Sequence, residues 1–514
     1  MLTTMRRPIN RGQRSTAQTF PSPTGGWNVR DPIADMGVNY AVRLDNWFPS
    51  FGRVSIRKGY TSYATGLGDS VKTLKEFNAG SSRKFIAAAN GKIWDVSSAG
   101  AAVQLATGFT NDAWQCAQFD DAGGGARLGM VNGADAPQIY NGATVGAMTV
   151  SGPTVANLVG IHIHKNKSYF WEANSQSFWY SATSALGGVL TEFKLGRLSG
   201  FGGNLVKMDT WSVDAGNGPD DLAVFLMSSG DVIVYAGSDP GSVTTWSLVG
   251  VYRIGAPIGN RPTIKIGAEL YAITKNGFQP MSQVAKLGLT KQSVVLSDTI
   301  RGAVTLAADS GASLGGWEAV LYPKGNRAIF NVPQSTTVFH QYVVNTETGA
   351  WCRFNSHNGY AWALYNDALY FGGVDGKVYK ADDGYSDNGT AIQADAICSW
   401  NYLGAPGRLK NMGLARVLGE TTNATSIPYS LGLAVDFREV VATLYGAVPA
   451  TASAPWDSSA WDTTAWPSES SIFDSWGGAL GVGDAVSARL RMASTATGFD
   501  WFTTTYIFEP GGLL

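Results

Sequence analysis

Four histidines, three cysteines and a scatter of carboxylates are the groups in this 514-residue chain that could do chemistry. His162 and His164, in the run IHIHK, alternate along an expected strand and so point to one face, as a metal pair would. No acidic or cysteine ligand lies near them in sequence, which leaves them as structural or solvent-facing histidines. Cys116, Cys352 and Cys398 are too few and too scattered for a disulfide framework or a thiolate cage. They read as small buried hydrophobes in a chain made in a reducing compartment. No G-x-x-x-x-G-K-[ST] loop occurs, and the glycine-rich run 123–129 (GGGARLG) leads toward a strand, so it offers no helix N-terminus to a phosphate. There is no G-x-S-x-G nucleophile turn. A pair of glycosidase carboxylates is not excluded by motif, which keeps propeller sialidases as the enzyme alternative. Their Ser-x-Asp-x-Gly-x-Thr-Trp turn has its nearest counterpart at 238–246 (SDPGSVTTW), two residues too long. The expectation is a protein without catalytic residues, metal or cofactor.

The elements that would carry these groups follow from composition and turn chemistry. Glycine numbers 63, charged residues make up only 15%, and 38 basic against 39 acidic side chains leave a net charge of −1. Such a balance gives no electrostatic reason to grip a phosphate backbone. Excess glycine with no G-X-Y period, and 44% hydrophobic residues, fit many short strands joined by tight turns. No apolar run approaches the ~20 residues of a membrane helix, so no stable membrane insertion is expected, and no apolar segment of a secretory signal follows the N-terminal charges.

One pattern recurs. A run of small and apolar residues meets a turn dipeptide, and a second run with aromatics follows, at 84–96, 126–142, 167–182, 222–238, 268–282, 318–333 and 367–382. The turns fall at Asn90-Gly91, Asn132-Gly133, Asn174-Ser175, Ser229-Gly230, Asn276-Gly277, Gly325-Asn326 and Asp375-Gly376. Asn-Gly and Asp-Gly suit type I′ hairpins, where both central residues need positive φ. Units of about 40–50 residues built from hairpins match the four-stranded blades of a β-propeller. A parallel α/β fold would need helices between strands, and a sandwich would turn every 8–12 residues. The expected fold is all-β: a propeller of six or seven blades over 25–385, with additional β elements over 386–514 and an extended or disordered basic arm over 1–24. One short helix is expected around Tyr40–Trp47, because Ala41, Leu44 and Trp47 could share a helical face; no long amphipathic helix is expected elsewhere.

Two regions read as contact surfaces. The arm carries Arg6, Arg7, Arg11 and Arg14 and no acid, which suits a segment that orders against a neighbouring subunit or nucleic acid. The segment 450–478 reads as an irregular loop with exposed aromatics: Trp456, Trp461 and Trp466 recur every five residues, which fits neither strand nor helix, and Trp476 follows. Aromatics of this kind are favoured interface anchors. Strands return at Val486–Met492 and Trp501–Phe508.

Several of these segments, taken in order, resemble one family. The stretch 25–60, with DNWFP at 45–49 and R-x-G-Y at 57–60, is similar to the opening of the tail nozzle, or packaged-DNA stabilisation (tail tubular), proteins of short-tailed bacteriophages (podoviruses). The run 234–259 is similar to that family's central blade, TGAWCRF at 348–354 to a later one, and the Trp-Asp loop near 456–466 and Gly511-Gly512 also match its pattern. The resemblance implies a non-enzymatic structural protein of the virion tail, made in the host cytoplasm. It implies a homo-oligomer, a ring of six beneath the portal and its adaptor (head-to-tail connector) protein. That ring would form a channel that retains packaged DNA, lets it pass into the host on ejection without sequence-specific binding, and carries tail fibre or spike proteins. A receptor- or glycan-binding propeller of the tail is the alternative, and a glycan-cleaving tail enzyme the second.

Overall fold

The structure, a computed structural model, describes residues 15–80, 82–121, 125–214, 219–283, 295–422, 427–438, 445–447 and 471–513. It divides into two compact units: Lys58–Gly389, and a second made of Met1–Arg57 together with Thr390–Leu514. The propeller therefore starts at Lys58 and not at residue 25, and residues 25–57 belong with the C-terminal β elements.

Seven antiparallel blades follow one another through the first unit among the described residues, five as separate sheets and two as runs of strands within a larger sheet. Blade 1 consists of Thr73–Ala79, Ser82–Ala89, Lys92–Asp95 and Val103–Thr107. Blade 2 begins at Gln115–Asp121, blade 3 at Leu158–His164 and blade 4 at Leu205–Asp214, each with four strands. Blade 5 shows three, Thr263–Ile266, Glu269–Thr274 and Gly277–Pro280. Blade 6 runs from Glu318–Tyr322 to Trp351–Phe354. Blade 7 takes Gly359–Tyr365, Ala368–Gly373 and Val378–Ala381, and its fourth strand is Tyr60–Thr65 from the other end of the unit, paired antiparallel to Val378–Ala381. Borrowing that strand closes the ring, so that the faces of the first and last blades are buried against each other and the edges that remain are short ones.

Each blade alone has two apolar faces, and the ring buries them against one another. Phe77, Ile86 and Ile93 of blade 1 pack with Leu128, Met130 and Tyr140 of blade 2. Phe119 and Val131 meet Ile161 and Phe170 of blade 3, and Phe178 stacks on Phe225 of blade 4 at 4.7 Å. Blades 5 and 6 join through Phe278 on Phe330, 3.9 Å apart and nearly parallel. Blade 7 returns to blade 1, where Phe85 stacks on Tyr365 at 4.8 Å. The seven turn signals of the sequence fall one to a blade. Asn90 and Gly91 both have positive φ, 55° and 66°, between the paired Ala89 and Lys92, as a type I′ turn requires. Gly325-Asn326 sits between strands 1 and 2 of blade 6, whereas the other six signals lie between strands 2 and 3.

Two helical expectations are overturned. Residues 40–47 are not a helix: Tyr40–Asp45 and Trp47–Ser50 are strands. A register shift between Ala41 and Arg43 puts Ala41 and Leu44 on one buried face, and Asn46 turns the chain with φ 59° before buried Trp47. A bulge thus imitates the three-residue spacing of a helix. Conversely, Arg301–Gly311 is an α-helix, unforeseen, that buries Val304, Ala307, Ala308 and Gly311. Its spacing is helical, but its core face is made of residues too small to stand out.

The second unit holds two sheets. The first contains the long strands Arg408–Thr421, Ser471–Gly483 and Phe499–Leu513, with Thr16–Pro21, Trp47–Ser50 and Arg53–Ile56. The second contains Tyr40–Asp45, Thr390–Cys398, Pro428–Val435 and Val486–Ser494. Trp47 packs on Trp501 at 5.7 Å, and Phe473 lies between Phe499 and Tyr429 of the other sheet. The DNWFP residues and Arg57 serve this packing, whereas Tyr60 opens the strand that closes blade 7. Asn46 accepts from Arg57 Nε at 2.8 Å and donates to the Gln393 carbonyl at 2.7 Å, so the buried guanidinium is anchored by the turn itself.

Candidate functional site

The first strands of the blades line the propeller axis, and charged side chains gather there in a chain otherwise short of charge. Arg261, two residues before the first strand of blade 5, reaches across the ring. Its Nη1 donates to Glu318 Oε2 of blade 6 at 2.6 Å, and its Nη2 to the Trp114 carbonyl at 2.8 Å, Thr73 Oγ1 at 3.3 Å and the Lys72 carbonyl at 3.4 Å. Glu318 in turn accepts the backbone N–H of Trp362 in blade 7. One guanidinium thereby links the beginnings of blades 1 and 2 to blades 5, 6 and 7. Burial pushes the Glu318 carboxyl up, and the adjacent Arg261 charge and hydrogen bond hold it back. A carboxylate left there without the guanidinium would be an unpaired buried charge.

The remaining blades join through a second set. Asp209 of blade 4 accepts from Thr263 Oγ1 of blade 5 at 2.7 Å. His162 and His164 of blade 3 both meet the Thr210 hydroxyl at 2.9 Å, and His162 Nε2 lies 4.0 Å from Asp209. The two rings do share a face, as their alternation requires, but the face is turned on a threonine. No group of three metal-ligating side chains exists among the described residues. Burial is the main cause lowering both imidazoles to about 4, so they are neutral in the fold at ordinary pH; Asp209 opposes this at His162, and Lys165 adds to it at His164.

Two cavities flank the crossbar. One, of about 320 Å³, is lined by Lys72, Gln115, Asn260, Arg261, Ser313 and Tyr360; the other, of about 520 Å³, by Lys75, Gln115, Cys116, Gln118, Lys207 and Arg261 among others. Cys352 and Cys398 are buried and Cys116 is half-buried in the second cavity, so the expectation of three buried thiols holds for two; none of the three forms a disulfide. Arg261, Glu318, Lys207 and Asp209 were not singled out in the sequence. The available signal was faint: isolated charges at or just before the first strand of successive blades.

The residues expected to make contacts fall mostly elsewhere. Arg6, Arg7, Arg11 and Arg14, and Trp456, Trp461 and Trp466, lie outside the described residues. The part of the arm that is described, Thr16–Pro21, is a strand paired with Thr503–Phe508 of its own chain, so its order needs no neighbour. The end of the expected 450–478 loop is a strand too, because Ser471–Gly483 alternates: Phe473 is buried, while Ile472, Trp476, Leu480 and Val482 are 80%, 44%, 88% and 60% exposed. Trp476 shares the outer face with Asp474 and with Arg416, whose guanidinium lies 5.0 Å from the indole ring and 3.4 Å from the carboxylate. Ser471–Gly483 is an outermost strand of its sheet, paired with Arg408–Thr421 on one side only among the described residues.

These features define a class: a seven-bladed β-propeller, closed by its own N-terminal strand, in a chain that also builds a second, sheet-rich unit. No family model matches the chain, and no curated protein matches its sequence. Among solved structures it is similar to BBS1N in complex with ARL6DN (8% identity, 65% of this chain and 100% of that one, TM-score 0.42). It is also similar to YCF48 bound to D1 peptide (9%, 65% and 95%, TM-score 0.37) and to the computationally designed Ika8 protein (10%, 66% and 96%, TM-score 0.36). The fold rests on the chain's own seven blades and their closure. No helix among the described residues is long and apolar enough to cross a membrane.

Proposed function

We propose that this chain is a structural subunit of a short-tailed phage virion, a tail nozzle protein that acts by assembly and not by catalysis. The observation that carries this reading is the outermost strand Ser471–Gly483, with its apolar row Ile472, Trp476, Leu480 and Val482. An exposed strand edge beside exposed large hydrophobics is a liability that soluble monomers avoid, and covering it with another copy removes the liability. The ordered likeness to the nozzle family gives that copy number as six and adds the adaptor ring and the fibre or spike proteins as neighbours. The crossbar at Arg261 also bears on the route of DNA. Its hydrogen bonds run from blade 5 to blade 6 and to the beginnings of blades 1 and 2, which supports a reading in which DNA would pass between subunits and not along a propeller axis.

Imaging of purified virions tests the proposal: the subunit should form a ring at the tail, and its absence from the tail, or a single copy there, would overturn it. Sedimentation of the purified chain is the simpler measure, with Ile472→Asp/Leu480→Asp expected to release monomers. A receptor-binding propeller is the second reading. It is favoured by Phe201, Val243, Leu248, Val249 and Val251, exposed on or near the outer strand of blade 4, and binding of the isolated protein to a glycan array would support it.

A further inference from the structure

The larger axial cavity is lined by three cations, Lys75, Lys207 and Arg261, and three carboxylates, Glu76, Asp209 and Glu318, but of those cations Arg261 alone is ion-paired among the described residues. Its three acids are already engaged: Glu318 by Arg261 and the Trp362 N–H, Asp209 by Thr263 and the Thr210 N–H at 2.8 Å, and Glu76 by Arg83 at 3.9 Å. Lys75 and Lys207 line the same space, and neither has a carboxylate within 4.0 Å among the described residues. The Lys207 ammonium lies 5.9 Å from the centre of the Trp171 ring. Burial pushes that ammonium below its ordinary range, Asp209 works against the shift, and the Arg261 and Lys75 charges reinforce it. Arg261 is paired with Glu318, but the two ammonium groups have no ion-pair partner in this half-enclosed space, and a bound anion would supply one. Gln115 and Gln118 add amides that can donate hydrogen bonds, and about 520 Å³ is within the ordinary range for a small-molecule site.

We propose that this axial cavity is a binding site for a small anion carrying phosphate or carboxylate groups, held by Lys75 and Lys207 with Arg261 behind them. The site is independent of the assembly reading, since every residue in it belongs to one propeller. Polymeric nucleic acid does not fit a cavity of about 520 Å³. What fits is a molecule of phosphate to sugar-phosphate or tricarboxylate size, and its charge would stiffen the ring by joining blade 1 to blade 4.

Cys116 is a reporter built into the wall. In the native full-length protein, alkylation by the neutral reagent N-ethylmaleimide, followed at Cys116 by peptide mass spectrometry, should be slowed saturably by inorganic phosphate or by citrate. Sodium chloride of equal ionic strength, and sorbitol, should have no such effect. Protection by phosphate alone assigns a phosphate ligand, and by citrate alone a carboxylate ligand. Lys75→Gln, at an exposed position, should weaken the protection by about tenfold, and Lys207→Met should do the same or more. Lack of saturable protection by both anions would overturn the proposal, as would equal protection by sorbitol or protection unchanged in Lys75→Gln. If Lys207→Met fails to fold, the Lys75→Gln result decides.

Discussion

The propeller and the sheet-rich unit treat their apolar surfaces in opposite ways. In the propeller, Tyr60–Thr65 supplies the last strand of blade 7, and the charged groups turn inward, where Arg261 and Glu318 tie one side of the ring to the other. In the second unit, strands of 13 to 15 residues end in an outermost strand whose apolar residues face outward. A closed ring of blades is complete in one chain. The open sheet leaves Leu480 and Ile472 exposed, and the proposed assembly would cover them.

The largest expected effect comes from breaking the crossbar. Arg261→Met leaves Glu318 buried without its partner and should cost about 3–5 kcal/mol of propeller stability, read by chemical denaturation. The double variant Arg261→Met/Glu318→Met should recover much of that loss. If the single variant is as stable as the parent, the axial pair does not hold the ring. In the other unit, Trp501→Ala should cost a similar ~3–5 kcal/mol through the cavity left beside Trp47. Hydrogen exchange should then show faster exchange in Arg408–Thr421 and Phe499–Leu513, with the blade strands little changed.

Acid separates the regions next. His162 and His164 are depressed to about 4 from an ordinary 6.5, so the unfolded chain binds protons that the fold refuses. Their contribution is fully present above pH ~6.5 and is lost as pH falls toward 4, by ~3 kcal/mol for His164 alone. His164→Gln should flatten the stability profile of the propeller between those limits, and an unchanged slope would refute the assignment. The smallest effect on stability, under about 1 kcal/mol, is expected for Trp476→Ala, since that ring is half exposed. Its signature is in association: sedimentation should show weaker self-assembly with folding unchanged, the reverse of the Trp501→Ala result.

Much of the propeller was legible because blades repeat local chemistry. The Asn90-Gly91 turn can be read as a hairpin from two residues, and the 40–50 residue interval between such turns follows from four short strands. The displaced signal at Gly325-Asn326 shows the limit, since turn chemistry marks a hairpin without saying which one in the blade. Residues 40–47 and 301–311 fail for a related reason. A spacing of three residues means a helix only if no bulge intervenes, and alanines on a buried helix face give little hydrophobic contrast.

The axial site was not legible, because its members lie far apart in the chain: Lys72 and Arg261 alone are separated by 189 residues. Hydrophobic period and turn type are properties of a few neighbouring residues, and they suffice for an all-β chain built of hairpin units. Which strand closes the ring, where the propeller begins, and which charges share its axis depend on register and on packing between distant segments. A lone arginine in a loop carries no mark of the carboxylate it will meet. Only closure of all seven blades brings Arg261 against Glu318, and Lys75 into one cavity with Lys207.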